Sequence, residues 1–158
     1  EDLSAFVVFQ VDNIEAEHIG YFVFTAAEGN DYESGFTVAG APADGFFRVN
    51  RNDMGLASGD VRLGEGWQLV SILVADGQLR VYVNGELKAE DEYETQTMDF
   101  TRFLLSVRGG GGNYFAQNDY AELIIFDWSP DDETHAAIGC ELATTYDLSL
   151  AAANFCPE

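Results

Sequence analysis

The segment Trp67–Glu86, WQLVSILVADGQLRVYVNGE, carries the pattern that decides the fold. Two runs rich in β-branched and aromatic residues flank Asp76 and Gly77, and Asp-Gly favours a type I′ turn, in which both central residues have a positive φ. In the second run, valines alternate with polar residues, so one face is apolar and the other is polar. The segment therefore predicts an antiparallel β-hairpin with one face in a core.

Similar apolar runs, each closed by Gly, Asn or Asp, recur along the rest of the chain. Their spacing is typical of hairpin-connected strands, and roughly nine or ten strands are expected. The sequence thus predicts an all-β protein made of two antiparallel sheets packed face to face. The predicted strands are residues 4–11, 19–27, 35–40, 46–50, 67–75, 78–84, 86–92, 102–107 and 120–126.

One short C-terminal helix is predicted after the last of these strands. Ser129 is the predicted N-cap and Pro130 the first helical residue, and the acidic residues 131–133 favour the positive end of the helix dipole. Apolar residues then recur at helical spacing to about Thr144. A final strand is expected over 146–150.

The composition limits the classes of function. The chain has 158 residues, which is the size of one domain, and 28 acidic residues against seven Lys and Arg give a net charge of −21. Such a surface repels phosphate backbones and anionic lipids, and no apolar run is long enough for a transmembrane helix. Nucleic-acid binding and membrane insertion are therefore not expected. A saline exterior or bound calcium would make this charge tolerable, and the alternative is a plain solvated acidic surface.

The two cysteines, Cys140 and Cys156, are a candidate disulfide pair. Closing a loop of about 15 residues contributes roughly 3 kcal/mol in the chain-entropy model, and the alternative is two free buried thiols. A disulfide would imply an exported protein. Because residue 1 opens almost directly onto a strand, we expect residues 1–158 to be a single domain excised from a larger secreted protein, with covalently linked neighbouring domains.

Two segments resemble laminin-G-like domains of the concanavalin A-like lectin/glucanase superfamily. They are Trp67–Glu86 and Asp119–Glu133, DYAELIIFDWSPDDE. In that family a Trp opens a strand, an Asp-Gly turn follows, the next strand ends in Tyr-Val-Asn-Gly, and a later strand precedes a short helix. The resemblance implies a jelly-roll β-sandwich with Trp67 in its core. It leaves the function open, because the superfamily includes sugar-binding modules, adhesion domains and glycosidases.

The features of a glycosidase are missing from the sequence. Glucanases of this superfamily place two carboxylates on one strand in an E-x-D-x-x-E arrangement, as nucleophile and acid. No predicted strand has that spacing, and the acidic run Glu90–Glu94 is typical of a solvated sheet edge or loop. His18 and His135 are too few for a zinc site and are predicted to lie on the surface. We therefore expect no enzymatic activity.

A structural calcium ion is implied by the resemblance. In this superfamily, an acidic residue at the start of the late strand often holds calcium together with carbonyls of earlier loops, and here that residue is Asp119. Asn30 and Asp31 lie in a loop that would supply carbonyls, and calcium takes six to eight oxygen ligands. The alternative is that Asp119 caps a turn.

Two places carry the residue types that bind sugars, which are aromatic rings, amides and guanidinium groups. One is the glycine-rich loop 108–115, whose alternative interpretation is a flexible hairpin with Phe115 in the core. The other is the polar face of residues 80–84, which binds sugar only if it lines a concave groove. Arg48 and Arg51 are further candidates for binding anions or hydroxyls. The predicted ligand-binding residues are Arg80, Tyr82, Asn84, Arg108, Asn113 and Tyr114.

The sequence thus predicts a non-catalytic, lectin-like carbohydrate-binding module. It would hold a polysaccharide in a shallow concave groove, with calcium as a structural cofactor, outside the cell. The alternative is a laminin-G-like adhesion or spacer domain that contacts another protein.

Overall fold

The computed structural model describes residues 2–12, 19–25, 36–41, 46–51, 54–56, 61, 63–92, 101–107, 115–150 and 155–156. Within these residues the chain forms ten strands and one helix. The described helix is not long and apolar enough to cross a membrane.

The helix and strand boundaries follow the predicted runs closely, and a short strand, β5, was not predicted. The elements are β1 (Leu3–Val11), β2 (Ile19–Thr25), β3 (Phe36–Ala41), β4 (Phe46–Arg51), β5 (Met54–Leu56), β6 (Gln68–Ala75), β7 (Gln78–Val83), β8 (Glu86–Glu92), β9 (Arg102–Leu105), β10 (Asn118–Phe126) and α1 (Asp132–Thr145).

The strands form two five-stranded antiparallel sheets. The first sheet has the order β10-β1-β6-β7-β8, and the second has the order β5-β4-β3-β2-β9. In the β6–β7 hairpin, Ala75 pairs with Gln78 across a turn in which Asp76 and Gly77 have φ values of 51° and 74°. The predicted two-sheet sandwich and its central hairpin are confirmed, and the acidic strand β8 lies at a sheet edge as predicted.

The core lies between the two sheets and is built from alternate residues of strands such as β1, β6 and β7. On β7, Leu79, Val81 and Val83 are at most 5% exposed, and they face Phe22 and Phe36 of the second sheet in the same cluster. Burying each large apolar side chain contributes about 1.5–3 kcal/mol. The valine face of the hairpin is therefore the core face, as the sequence predicted.

The outer face of the first sheet is also buried, because α1 packs against it. Phe6 and Val8 of β1 and Leu69 and Leu73 of β6 form a second apolar cluster with Leu142 of α1. A strand that is covered on both sides needs apolar residues at every position. This explains why the β1 sequence is a continuous apolar run and not an alternating one.

The helix begins two residues later than predicted. Asp131 is the N-cap, and its Oδ1 accepts a hydrogen bond from the Thr134 backbone N–H at 2.8 Å. Ser129 and Pro130 precede the helix, and the buried Ser129 Oγ has no hydrogen-bond partner. Asp131 fits the N-cap position because its side chain reaches the third residue of the helix.

The segment after α1 is a turn and irregular chain, not the predicted last strand. The Tyr146 and Leu148 backbone N–H groups donate to the Leu142 and Ala143 carbonyls at the helix C-terminus, at 3.0 and 2.8 Å. These bonds satisfy carbonyl groups that a helix end otherwise leaves unpaired, so the chain stays against the helix and does not join a sheet.

A disulfide joins Cys140 of α1 to Cys156, with their Cα atoms 5.4 Å apart. Next to it, the Phe155 ring lies against Gly139 of α1 and Gly85 of the β7–β8 turn, and it is 9% exposed. A Cβ atom at either glycine would overlap the ring. The two glycines therefore form a socket for Phe155, and the disulfide keeps the ring beside it.

The substitution Gly139→Ala tests this socket. Replacing a helical glycine with alanine ordinarily stabilises a helix by about 1 kcal/mol. Here we expect a destabilisation of about 1–3 kcal/mol, because the new methyl group would overlap the Phe155 ring. Urea denaturation followed by circular dichroism measures the change. In a Phe155→Leu background the same substitution should cost less, and a Gly139→Ala protein more stable than the wild type would contradict the socket.

Candidate functional site

Arg80 and Tyr82 lie beneath the N-terminal part of α1 and do not line an open groove. Arg80 Nη1 donates hydrogen bonds to Asp132 Oδ1 at 3.2 Å and to the Tyr82 hydroxyl at 3.4 Å. The Tyr82 ring centroid is 4.4 Å from that of His135 on the helix. The helix α1 therefore lies over this part of the polar face, and the role of Arg80 and Tyr82 in ligand binding stays a prediction.

His135 is buried, whereas the sequence predicted a surface residue. It is 3% exposed, and its Nε2 shares a hydrogen bond with Ser71 Oγ at 2.7 Å. The rings of Phe6 and Phe155 flank the imidazole at centroid distances of 5.7 and 5.1 Å. Burial lowers the pKa of His135 to about 4, and the positive charge of Arg80 acts in the same direction. The imidazole is thus neutral at pH 7 and serves as a packing residue between α1 and the first sheet.

His135 should make the protein less stable in mild acid. Its pKa is about 4 in the folded state and 6.5 without the fold. The unfolded chain therefore binds more protons between these values, and stability is lost as the pH falls from 6.5 to 4, by roughly 3 kcal/mol in total. Urea unfolding at pH 7.5 and pH 4.5 measures the loss.

The matched control for this effect is His135→Gln, which keeps a hydrogen-bonding group beside Ser71 but does not titrate. The carboxylates titrate in both proteins, so the difference between their pH dependences isolates His135. Identical pH dependences would contradict the assigned burial of a neutral imidazole.

Asn84, another predicted ligand-binding residue, has a clear structural role. Its φ is 50°, and it exchanges two hydrogen bonds with Leu69: the Leu69 N–H donates to Asn84 Oδ1 at 2.9 Å, and the Asn84 N–H donates to the Leu69 carbonyl at 2.8 Å. Asn tolerates this left-handed backbone better than most residues. These bonds fix the β7–β8 turn at the edge of a cleft.

This cleft, which we call the Trp67 cleft, is formed where the start of β6, the β7–β8 turn and the chain after α1 meet. Its volume is about 540 Å³. Trp67 is 43% exposed and lines the cleft, whereas the resemblance placed it in the core. The inward position belongs instead to Gln68, which is 5% exposed. The lining residues are Gly64, Glu65, Trp67, Gln68, Val83, Asn84, Glu86, Lys88, Tyr146, Asp147, Leu148 and Ser149.

A second candidate surface is the exposed margin of the second sheet's outer face, where Arg102 lies. Val23 and Thr25 of β2 and Thr37 and Ala39 of β3 alternate with core residues, so they point away from the core. All four are small and at most 4% exposed. Arg102 of β9 is the register partner of Thr25 and shares its face, since directly paired residues lie on one side of a sheet. These four residues thus form a buried floor, and the exposed Arg102 lies at its margin.

The positive charges of the chain are unequally divided between the sheets. In the first sheet, Arg80 pairs with Asp132, and Lys88 Nζ lies 2.6 Å from Glu86 Oε2. The second sheet holds three arginines in its strands. They are Arg48, Arg51 and Arg102. In register, Arg48 is paired with Ala39 of the outer face and Arg51 with the core residue Phe36, so Arg48 and Arg102 are the arginines at outer-face positions of the described strands.

Several predicted residues lie outside the described part of the chain. The glycine-rich loop is one such region, although Phe115 at its end is described and is 61% exposed, so it is not in the core. The predicted residues outside the description are Arg108, Asn113 and Tyr114 for ligand binding, and Asn30 and Asp31 for calcium.

Asp119 is an exposed residue of β10, paired in register with Gln10. Gln10 Nε2 donates to Asp12 Oδ1 at 3.1 Å, so Asp12 lies on the same face. The neighbouring Asn118 belongs to the opposite face, where its Nδ2 donates to the Tyr120 hydroxyl at 3.0 Å and its buried Oδ1 has no partner. Asn118 and Asp119 therefore cannot hold one ion together, and the described residues contain no group of three acidic, His or Cys side chains able to bind a metal.

The fold is a β-sandwich of the concanavalin A-like, jelly-roll kind. The CBM40 module of the Ruminococcus gnavus IT-sialidase, solved with α2,3-sialyllactose bound, has a TM-score of 0.69 and 17% identity, with 88% of this chain and 82% of that chain covered. A point mutant of the NanB sialidase from Streptococcus pneumoniae has the same TM-score and identity, with 85% and 23% covered.

A putative carbohydrate-binding protein from Bacteroides ovatus is also similar, with a TM-score of 0.65, 16% identity and coverage of 82% and 38%. No protein-family model and no curated protein matches the chain. At these identities, the similarities establish the fold.

The sequence did not predict that the residues of either candidate surface lie together. The Trp67 cleft joins three segments that are distant in sequence, and no local pattern marks their meeting. The outer face of the second sheet was missed because β2 is apolar on both faces, which hides the alternation that would have identified Thr25 and Val23 as outward residues.

Proposed function

We propose that this chain is a non-catalytic carbohydrate-binding module whose ligand is the terminal, negatively charged sugar of a glycan, bound at the exposed margin of the second sheet's outer face, beside Arg102. The observation that carries the proposal is the position of Arg48 and Arg102 on the outer face of that sheet, in a fold shared with modules solved with sialyllactose bound. Sialic acid, the charged sugar of sialyllactose, bears the carboxylate that an arginine would recognise.

The chemistry of the face suits such a sugar. Arginine binds a carboxylate with two parallel hydrogen bonds, which are stronger than bonds between neutral groups. Val23, Thr25, Thr37 and Ala39 are at most 4% exposed, so the ligand of this proposal contacts the exposed margin of the face, where Arg102 lies, and not the buried strands beneath it. Arg102 pairs in register with Thr25, so it stands on the same face as this floor.

The net charge of −21 restricts the ligand to one with few charges. A polyanion such as heparin would be repelled over about a Debye length, which is about 8 Å at physiological ionic strength. A single carboxylate at the end of a glycan can contact arginine while the rest of the ligand stays neutral. The proposal is therefore recognition of a terminal sugar, and the predicted shallow groove for an extended polysaccharide becomes a site for a glycan end.

The proposed module is part of a larger extracellular protein and has no catalytic activity of its own. A module attached to a larger extracellular protein is supported by the Cys140–Cys156 disulfide, since disulfides persist in oxidising compartments. It is also supported by the NanB sialidase, in which the similar region is 23% of the chain. The absence of catalysis is supported by the similarity to isolated binding modules.

Binding of α2,3-sialyllactose, with lactose as the uncharged comparison, tests the proposal by isothermal titration calorimetry. We expect sialyllactose to bind and lactose to bind at least tenfold more weakly. Arg102→Ala should lower the affinity for sialyllactose about 10- to 100-fold, because a hydrogen bond to a charged group contributes about 1.5–3 kcal/mol. Arg48→Ala tests the second arginine in the same way.

The matched control is Arg80→Ala, which removes the same charge from the first sheet and should leave sialyllactose binding unchanged. Equal losses in Arg102→Ala and Arg80→Ala would indicate an effect of net charge and not a site. Equal affinities for lactose and sialyllactose would contradict the proposal.

A protein-binding role of the laminin-G-like adhesion kind is the second candidate. It is favoured by exposed apolar side chains on and beside the edge strand β9, where Phe103 is 46% exposed, Leu105 43% and Phe115 61%. Exposed apolar groups on an edge strand are typical of an interaction surface. Failure of every glycan in a broad array to bind would favour this function.

We also propose that Asp119 contributes to a calcium site with carbonyl groups of other loops. Calcium that binds only the native state raises its stability by about 2.7 kcal/mol at a concentration 100 times Kd. The melting temperature should therefore rise by several degrees in calcium over EDTA, and Asp119→Ala should abolish the rise. The control is Asp127→Ala, which removes an exposed carboxylate directly after β10, the edge strand that contains Asp119. Equal melting temperatures of the wild type in calcium and EDTA would remove Asp119 from the site.

A further inference from the structure

We propose that the Trp67 cleft is a second saccharide site that takes a neutral oligosaccharide, a ligand of a different class from the anionic sugar of the second sheet. The cleft lies at the other sheet and shares no residue with the proposed anionic-sugar surface. Its volume of about 540 Å³ falls within the usual range of small-molecule sites.

The walls of the cleft are fixed before any ligand binds. Gln68 Nε2 donates to the Gly64 carbonyl at 2.5 Å, which holds the segment that presents Trp67. On the far side, the Tyr146 hydroxyl donates to Glu122 Oε2 at 2.8 Å and holds the chain after α1. A site that is already ordered loses less conformational entropy on binding. The cleft is thus built as a stable concave surface and not as a gap between loose segments.

The lining has the combination of groups that recognises sugars. Trp67 presents a half-exposed indole ring, on which the C–H face of a sugar can stack. Carboxylates of Glu65, Glu86 and Asp147 and the hydroxyl of Ser149 surround it, and they can bond sugar hydroxyls. An aromatic platform with convergent polar groups is the pattern expected of a carbohydrate site.

The charges of the cleft disfavour an anionic ligand. Three carboxylates against the single ammonium group of Lys88 disfavour an anionic sugar. Lys88, whose Nζ lies 2.6 Å from Glu86 Oε2, adds a hydrogen-bond donor to the same lining. The cleft therefore contains hydrogen-bond donors and acceptors side by side. Sugar hydroxyl groups can bond to both, because a hydroxyl group donates and accepts hydrogen bonds.

Affinity electrophoresis in gels containing a neutral polysaccharide tests the site, with β-glucan, mannan, xylan and galactan as the probes. We expect at least one of them to retard the wild-type protein, and Trp67→Ala to raise its dissociation constant at least tenfold. Trp128→Ala is the matched control, because Trp128 is 42% exposed but lies outside the cleft. It should be retarded like the wild type.

Two further measurements keep folding defects separate from loss of the site. Glu65→Gln preserves the shape of an exposed residue and should weaken neutral-saccharide binding several-fold without lowering the melting temperature. Trp128→Phe leaves Trp67 as the only tryptophan, and its fluorescence should change when the retarding polysaccharide is added.

The outcomes separate this site from the anionic-sugar site. Sialyllactose binding should be unchanged in Trp67→Ala and neutral-saccharide binding unchanged in Arg102→Ala, so either site can fail alone. The proposal is overturned if no neutral polysaccharide retards the protein, or if Trp67→Ala is retarded like the wild type. It is also overturned if a lysine-rich peptide binds in place of the saccharides and Glu65→Gln abolishes that binding.

Discussion

The burial of β1 and β6 on both faces is the constraint on which the rest of the structure depends. On one side these strands contact the second sheet, and on the other side they contact α1. Parallel sheets usually have helices on both faces, but here an antiparallel sheet receives a helix on its outer side. The helix is held there by apolar contacts, by the Arg80–Asp132 ion pair and by the disulfide that keeps Phe155 beside Gly139.

Coverage by α1 also decides where a ligand can bind. The polar face of β7 carries residues that suit sugar binding, but the helix uses them as contacts of its own. His135 fills the space between Tyr82 and Ser71 as a neutral ring, so a titratable group becomes part of the packing. The two surfaces proposed for binding are the exposed margin of the second sheet at Arg102 and the Trp67 cleft beyond the end of the helix.

The distribution of charge separates these two surfaces chemically. The strands of the second sheet contain arginines and no acidic residue, whereas β8 and β10 of the first sheet contain several acidic residues. A chain with a net charge of −21 can attract an anion only through such a local concentration of positive charge. The Trp67 cleft keeps an excess of carboxylates, so one domain can present two surfaces with different preferences.

The sequence by itself determined the strands, the two-sheet class and the central hairpin, because these features depend on residues that are close in sequence. Alternation with a period of two places the valines of β7 on one face, and Asp76-Gly77 supplies the positive φ values of the turn. Capping was predicted less well, since Ser129 and Asp131 both have suitable side chains and only the path of the chain selects between them. Only the tertiary structure decided that Tyr82 lies under a helix and that Trp67 lies beside the chain after α1. Those contacts join residues more than 50 positions apart, and the hydrophobic pattern states which face of a strand is buried but not which element buries it.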